Sequence, residues 1–314
     1  MVTPLRVGVI GVGYLGRFHA EKYAHLQDAE LVGVADLNEA RAQEVAGALG
    51  AEAFGDYREL LPQVSAVSIA VPTSLHFEVV REALEAGCQV LVEKPISVTV
   101  AEADSLVRLA RERGRILMVG HLERFNSAME ELKSRVHGPR FIESHRLAFF
   151  KERGTDVDVV LDLMIHDLDH VLSLVRAPVQ EIRAAGISVL TDRIDLANAR
   201  LEFGDGCIAN LTASRMSFKS MRKFRLFQTD AYLAVDFEER ELTVAFKKES
   251  ASGPIPGVAL ENRRFPQEDV LLKEISAFVK AVLSKQEPPI SGEAGRAALD
   301  LALKINAAMK IAKG

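Results

Sequence analysis

The apolar positions of the first 120 residues come in short, nearly unbroken runs separated by amphipathic stretches of helical period. "LRVGVI" at 5–10 leads into glycines and then into "YLGRFHAEKYAHL". "ELVGVAD", "AVSIAV", "QVLVE" and "ILMVG" follow, parted by segments such as "NEARAQEVAGALG", "HFEVVREALEAG" and "AEADSLVRLARERG". Strands without a polar side are buried on both faces, and helices of roughly 10–15 residues between them are the crossovers of a parallel sheet. The pattern predicts an α/β domain over residues 1–120, a doubly wound parallel sheet.

Beyond residue 120 the period changes. "PRFIESHRLAFF", "EIRAAGISVL", "DLANARLEF", "CIANLTAS", "KFRLFQ", "AYLAVDF" and "ELTVAF" have strand character. A helical segment at 159–175 lies among the first of them, and "EDVLLKEISAFVKAVL" and "EAGRAALDLALKINAAMKIA" come after. "FGDGC" is a hairpin signal, because Asp-Gly supplies the positive φ of a tight turn. Residues 121–314 are expected to form an α+β domain with a large open, mainly antiparallel sheet and helices on one face.

Composition narrows the class of partner. The 314 residues are 48% hydrophobic and 26% charged, enough for two sizeable cores. A net charge of −5 gives no general attraction for nucleic acid or an anionic membrane, which points to small-molecule or protein partners. Cys88 and Cys207 lack any metal-ligand spacing, which fits a reducing compartment and argues against structural zinc. No run approaches the roughly 20 apolar residues of a membrane span. The N-terminal apolar run is short, glycine-broken and without a cleavage site, unlike a signal peptide, so the expected location is the cytoplasm.

The first strand-to-helix turn carries Gly11, Gly13 and Gly16, spaced G-x-G-x-x-G, with Tyr14 and Leu15 between the last two. The first glycine permits the tight turn, the second lets a pyrophosphate approach the backbone, and the third lets helix and strand pack closely. Asp36 closes the second strand, where a carboxylate accepts hydrogen bonds from a ribose 2′-hydroxyl and repels a 2′-phosphate. Together they predict a dinucleotide site for NAD rather than NADP. "QVLVEKPISV" then runs off a buried strand into Glu93, Lys94 and Pro95. Ligands of doubly wound sheets lie beyond the carboxyl ends of the strands, so Lys94 is aimed at the cofactor crevice.

These glycines, "AVPTSLHFEVV", "VEKPIS" and "GHLERFNSAM", in this order, resemble the glucose-fructose oxidoreductase / inositol dehydrogenase (Gfo/Idh/MocA) family, over essentially the whole chain. The resemblance implies that Lys94 reaches the oxygen of the reacting carbon and the nicotinamide, and that the Lys94–Pro95 bond is cis. It implies that Thr73 and His76 line the cofactor cleft and that Glu93 helps to hold the nicotinamide ribose. It also implies a homo-oligomer, dimer or tetramer, joined through the exposed face of the second sheet.

In "VVLDLMIHDLDHVLSLV" at 159–175, Asp162, His166, Asp169 and His170 fall within roughly 100° of one another on a helix, and Asp167 points elsewhere. His166 and His170 have the i, i+4 spacing of zinc-binding helices, but no further ligand presents itself, and no metal is expected. Alcohol oxidation releases a hydride and a proton, and His is suited to take the proton near neutral pH. The resemblance carries D-x-x-x-H in "DLMIH": His166 as general base, Asp162 as the group that orients it or the substrate, and Lys94 as stabiliser of the developing alkoxide.

Arg124 and Asn126 in "ERFN" and Lys151 and Arg153 in "FFKERG" flank the expected substrate site. Arg215, Lys219, Arg222, Lys223 and Arg225 occur in a stretch with no acid between Asp205 and Asp230. Such a patch is suited to the phosphates of a nucleotide sugar, or equally to a solvated strand face or an oligomer contact. "GHLERFN" with "LDLMIHDLDH" most resembles members acting on nucleotide-activated amino sugars, of the UDP-N-acetylglucosamine 3-dehydrogenase type. The expected function is NAD-dependent oxidation of a secondary hydroxyl on such a sugar. The alternatives are an inositol or free-sugar dehydrogenase using the same Lys94, Asp162 and His166, and a non-catalytic NAD(H)-binding regulator needing only Asp36 and the glycines.

Overall fold

A computed structural model describes residues 3–150, 157–248 and 255–311. The chain divides into two compact units, residues 1–122 with 269–299 and residues 123–268 with 300–314.

The first unit begins β1 (Leu5–Ile10), α1 (Tyr14–His25), β2 (Ala29–Ala35), α2 (Glu39–Leu49), β3 (Glu52–Phe54) and α3 (Tyr57–Leu60). It continues β4 (Ala66–Ile69), α4 (Thr73–Glu85), β5 (Gln89–Glu93), α5 (Val100–Arg113) and β6 (Leu117–Gly120). The six strands are parallel in the order β3-β2-β1-β4-β5-β6, a doubly wound sheet whose order reverses between β1 and β4. Val90, Leu91 and Val92 of β5 are fully buried, each contributing about 1.5–3 kcal/mol of apolar burial. That explains the unbroken apolar run. Thr99 closes a capping box with Glu102 at the start of α5, and Gly114 ends that helix in the left-handed conformation. The short β3 and α3 lie in a stretch where the sequence pattern gives no signal.

The second unit contains α6 (Ser127–Arg135), β7 (Phe141–Leu147), a single π-helical stretch at Val160–Met164, and α7 (Ile165–Leu174). Seven strands follow: β8 (Val179–Ile187), β9 (Leu196–Phe203), β10 (Ile208–Ser214), β11 (Met221–Phe227), β12 (Ala231–Asp236), β13 (Glu241–Lys247) and β14 (Val258–Arg264). α8 (Val270–Ser284) and the first part of α9 (Gly292–Ala308) belong to the first unit, and β15 (Met309–Ile311) returns to the second. The nine-stranded sheet runs β14-β13-β12-β11-β7-β10-β9-β8-β15, antiparallel except for β7–β10 and β8–β15. One face is apolar. Ala197 and Ala199 of β9 and Ala209 and Ala213 of β10 are small and fully buried, and the π-helical stretch packs against β10. Ala128, Met129 and Leu132 of α6 and Leu301, Ala302 and Ile305 of α9 join the same core. The strand alternation of β7 and β9–β13 was therefore a true pattern of one wet and one dry face.

The sequence boundary at 120 differs from this division in one respect: residues 269–299 pack with the first unit. Gly295 of α9 lies where a Cβ would meet Val119 Cγ2 at 2.4 Å, and Ile290 accepts a hydrogen bond from the Val119 N–H at 3.2 Å. The expected helix "EAGRAALDLALKINAAMKIA" also ends early, because Met309–Ile311 pairs with β8 as β15. Among the described residues no helix is long and apolar enough to cross a membrane.

Candidate active site

In the first unit the glycine turn is built as its spacing predicts. Gly11 has φ +83°, open to glycine and costly to other residues. A Cβ on Gly16 would lie 1.7 Å from the Gly11 carbonyl oxygen, so helix and turn touch there. Among the described residues a Cβ on Gly13 would meet nothing within 4 Å, leaving the backbone accessible at the start of α1. Among the described residues that helix has no side-chain cap, and its first turn carries no acid, so its N–H groups favour an anion. Tyr14 is exposed and Leu15 half-buried beside it. Asp36 accepts from the backbone N–H of Val12 at 2.8 Å and of Asn38 at 2.9 Å, tying the end of β2 to the turn. Arg41 Nε donates to the Val12 carbonyl at 3.1 Å and holds the same turn from α2. An open glycine, an uncapped helix start and a fixed carboxylate one strand away suit the pyrophosphate and ribose of NAD.

Lys94 follows β5, half-buried, and the Lys94–Pro95 bond is cis. Glu93 is buried, and its Oε1 lies 3.0 Å from His19 Nε2 of α1. Burial works against the Glu93 charge, but the His19 contact and the charges of His19, Lys94 and His76 overcome it and hold its carboxyl below the usual range. Thr73, half-buried, opens α4. His76 is buried, Nδ1 2.8 Å from the Pro95 carbonyl oxygen and Nε2 3.0 Å from that of Val71, and burial lowers its pKa. It is a brace between two loops at the strand tips. His19 was not singled out from the sequence, although it sits three residues after Gly16 in an otherwise amphipathic helix.

In the second unit Asp162 lies in the π-helical stretch and His166 one residue into α7. Both are half-buried. Arg215 Nη2 lies 4.0 Å from Asp162 Oδ2 and donates to the Val157 carbonyl at 2.8 Å. Glu123 is held well below the usual carboxylate range: burial opposes its charge, but Arg146, then His166 and His170, outweigh it. Asp162 thus neighbours Arg215, while His166 lies near Glu123 together with Arg146 and His170.

The rest of that helix is used for packing. Asp167, which the helical wheel turns away from the cluster, is buried and takes two hydrogen bonds of 2.9 Å from Arg146, which also binds Glu123. Asp169 takes two hydrogen bonds of 2.5 Å from Arg124. His170 stacks on Phe237 at 5.7 Å and meets Phe224 edge-on at 5.9 Å. Arg124 therefore spends its guanidinium on α7, and Asn126 caps α6 by accepting from Ala128 and Met129 N–H. The Arg146 signal was available: Ile142, Ser144 and Arg146 share the inward face of β7 at period two.

Three cations of the basic stretch have acidic partners on neighbouring elements, Arg222 among them with Glu123 at 3.8 Å. Lys223 pairs with Asp236 at 3.1 Å and Arg225 with Glu143 at 2.8 Å, partners supplied by adjacent strands. Arg215 is buried. Lys151 and Arg153 lie outside the described residues.

Two family profiles match in succession: the oxidoreductase family with an NAD-binding Rossmann fold over residues 5–121, and the GFO/IDH/MocA C-terminal domain over residues 128–234. The chain is 42% identical over 307 residues to the UDP-N-acetylglucosamine 3-dehydrogenase of Acidithiobacillus ferrooxidans, covering 98% of this chain and 97% of that one. It belongs to the GFO/IDH/MocA oxidoreductase family. A solved structure of that relative superposes with a TM-score of 0.93, covering 98% of both chains. The myo-inositol 2-dehydrogenase of Thermotoga maritima is 30% identical, covering 94% of this chain and 93% of that protein. As a member of the GFO/IDH/MocA family the chain is an oxidoreductase with an NAD-binding Rossmann domain.

Proposed function

We propose that this protein oxidises the 3-hydroxyl of a UDP-N-acetylglucosamine-type nucleotide sugar to the ketone, with NAD as oxidant. The observation that carries this is the near full-length, 42% match to a UDP-N-acetylglucosamine 3-dehydrogenase; the inositol dehydrogenase is more distant at 30%. NAD, when bound, accepts the hydride from the carbinol carbon. His166 takes the hydroxyl proton, Asp162 orients His166 or the neighbouring sugar hydroxyl, and the Lys94 ammonium stabilises the alkoxide as it forms. Thr73 and Glu93 belong to the cofactor side, with His76 bracing the loops at the strand tips. On the substrate side Arg124 and Asn126 act alongside their bonds to Asp169 and to the start of α6, and Lys151 and Arg153 are the cations assigned to the diphosphate.

The protein works in the cytoplasm as a homo-oligomer. Support for the second point is the polar outer face of the nine-stranded sheet, where Asn198 donates to Thr212 and Arg200 to Asn210 across β9 and β10. The test is NADH formation across UDP-sugars, free sugars and inositols. Turnover confined to UDP-N-acetylhexosamines is expected, and turnover of free inositols at equal or greater kcat/KM overturns the substrate assignment.

A further inference from the structure

Three side chains of the first unit meet in a dry interior: His19 on α1, Glu93 at the end of β5 and Glu274 on α8. One ligand atom of each lies within 4.8 Å of the other two. All three are buried, His19 and Glu274 with no exposure at all. His19 and Glu93 are hydrogen-bonded at 3.0 Å, but among the described residues neither carboxyl oxygen of Glu274 has a hydrogen-bond partner. A second carboxylate charge there would be buried, unpaired and repelled by Glu93, a cost that proteins avoid by protonation.

We propose that Glu274 is carried as a neutral carboxylic acid and that its proton keeps Glu93 the single carboxylate of the cluster, making Glu274 a positioning residue for the Lys94 turn. The inference rests on the role given above to Lys94. Charge then balances without any ion: Glu93 is met by His19 on one side and by its neighbour Lys94, and Glu274 adds nothing. A divalent cation would have to displace the existing His19–Glu93 bond. Burial, with Glu93 adding to it, drives the Glu274 pKa well above the usual value. Among the described residues the other titratable groups facing the cluster are Tyr23 of α1, hydrogen-bonded to Ser68 at 2.8 Å and kept neutral by burial, and His76 of α4. Gly120 of β6 leaves Glu93 its space: a Cβ there would lie 3.4 Å from Glu93 Oε2.

Because the folded chain holds the Glu274 proton more tightly than the unfolded chain, its contribution to stability is complete below the ordinary carboxyl pKa and is lost as pH rises toward the folded value. The full-length wild type and Glu274→Gln are compared by thermal melting, by NADH fluorescence titration and by infrared spectroscopy, none of which needs the sugar. From about pH 5 to about pH 9 the wild type should lose about 3 °C more than E274Q, a carboxamide that cannot ionise. Its NADH affinity should fall at the alkaline end while that of E274Q stays level, and at neutral pH it should show the C=O band of a protonated carboxylic acid that E274Q lacks. Parallel melting and affinity profiles, no acid band, or a stoichiometric divalent metal in purified wild type overturn the proposal. If E274Q does not fold, the infrared band and the metal content of the wild type still decide. Loss of sugar turnover with these results intact would instead count against the substrate assignment.

Discussion

Arg146 of β7 holds Asp167 of α7 through two parallel hydrogen bonds of 2.9 Å, both side chains almost wholly out of water. Glu123 completes the arrangement on the other edge of the guanidinium. The helix that carries His166 is thereby fastened to the sheet by charge as well as by oil.

Removing one partner of a buried pair leaves an uncompensated charge, which typically costs about 3–5 kcal/mol. Asp167→Ala and Arg146→Met are each expected to destabilise the protein by about 3 kcal/mol or more in urea denaturation. An effect below about 0.5 kcal/mol for both, the range of an ordinary surface substitution, would show that the pair is dispensable.

Gly13 and Gly16 separate binding from folding. Gly16→Ala puts a methyl 1.7 Å from the Gly11 oxygen and should yield little folded protein. Gly13→Ala meets no atom of the described residues within 4 Å, so it should fold and lose NAD affinity by about tenfold or more, since the backbone approach is what it blocks. Melting temperature and NADH titration of the two variants check this together. A G13A protein with unchanged affinity would place the pyrophosphate elsewhere.

Asp36 already accepts two backbone hydrogen bonds, and each oxygen keeps a further lone pair for a ribose hydroxyl. Hydrogen bonds to a charged group are worth about 1.5–3 kcal/mol. Asp36→Ala is thus expected to lower kcat/KM for NAD by about 10–100-fold while NADP gains relative to it. A NAD/NADP ratio that does not move contradicts the assignment.

Glu123, held as a carboxylate by Arg146, His166 and His170 against its burial, has a folded pKa below its unfolded one. Its stabilisation is present above the ordinary carboxyl pKa, near 4.3, and is lost as pH falls through the folded value. Urea midpoints should therefore drop steeply from about pH 5 downward in wild type and less steeply in Glu123→Gln. Equal slopes would show that the acid transition belongs to other groups.

The Rossmann unit was legible because its rules are local: apolar runs such as "VGVI" and "VLVE" name doubly buried strands, and the three glycines name the turn between them. The sheet of the second unit was legible by its period of two, except for β14, whose "VALENRR" lies largely exposed, and β15, only three residues long. The geometry around Asp162 was not. A helical wheel assumes 100° per residue, and the π-helical stretch Val160–Met164 breaks that phase between Asp162 and His166. Long-range pairing was invisible for the same class of reason. The partners of Arg124, Lys223 and Arg225 come from α7, β12 and β7, so each of these cations meets an acid that is distant in sequence. Glu274 did leave a trace, since it shares the stripe of Phe278 and Ala281 on an apolar helix, and a charge on a dry stripe marks a paired or protonated group.

In the proposed reaction His166 and Lys94 drive hydride transfer from a nucleotide sugar to NAD. The most direct test is NADH production from UDP-N-acetylglucosamine by wild type, His166→Ala and Lys94→Ala, with NADH affinity measured on each. Wild-type turnover is expected, with kcat lowered about 10²–10⁴-fold in H166A while NADH still binds as tightly, and lowered similarly in K94A. A wild type that binds NADH yet forms none from this sugar, or an H166A variant that keeps full kcat, would contradict it.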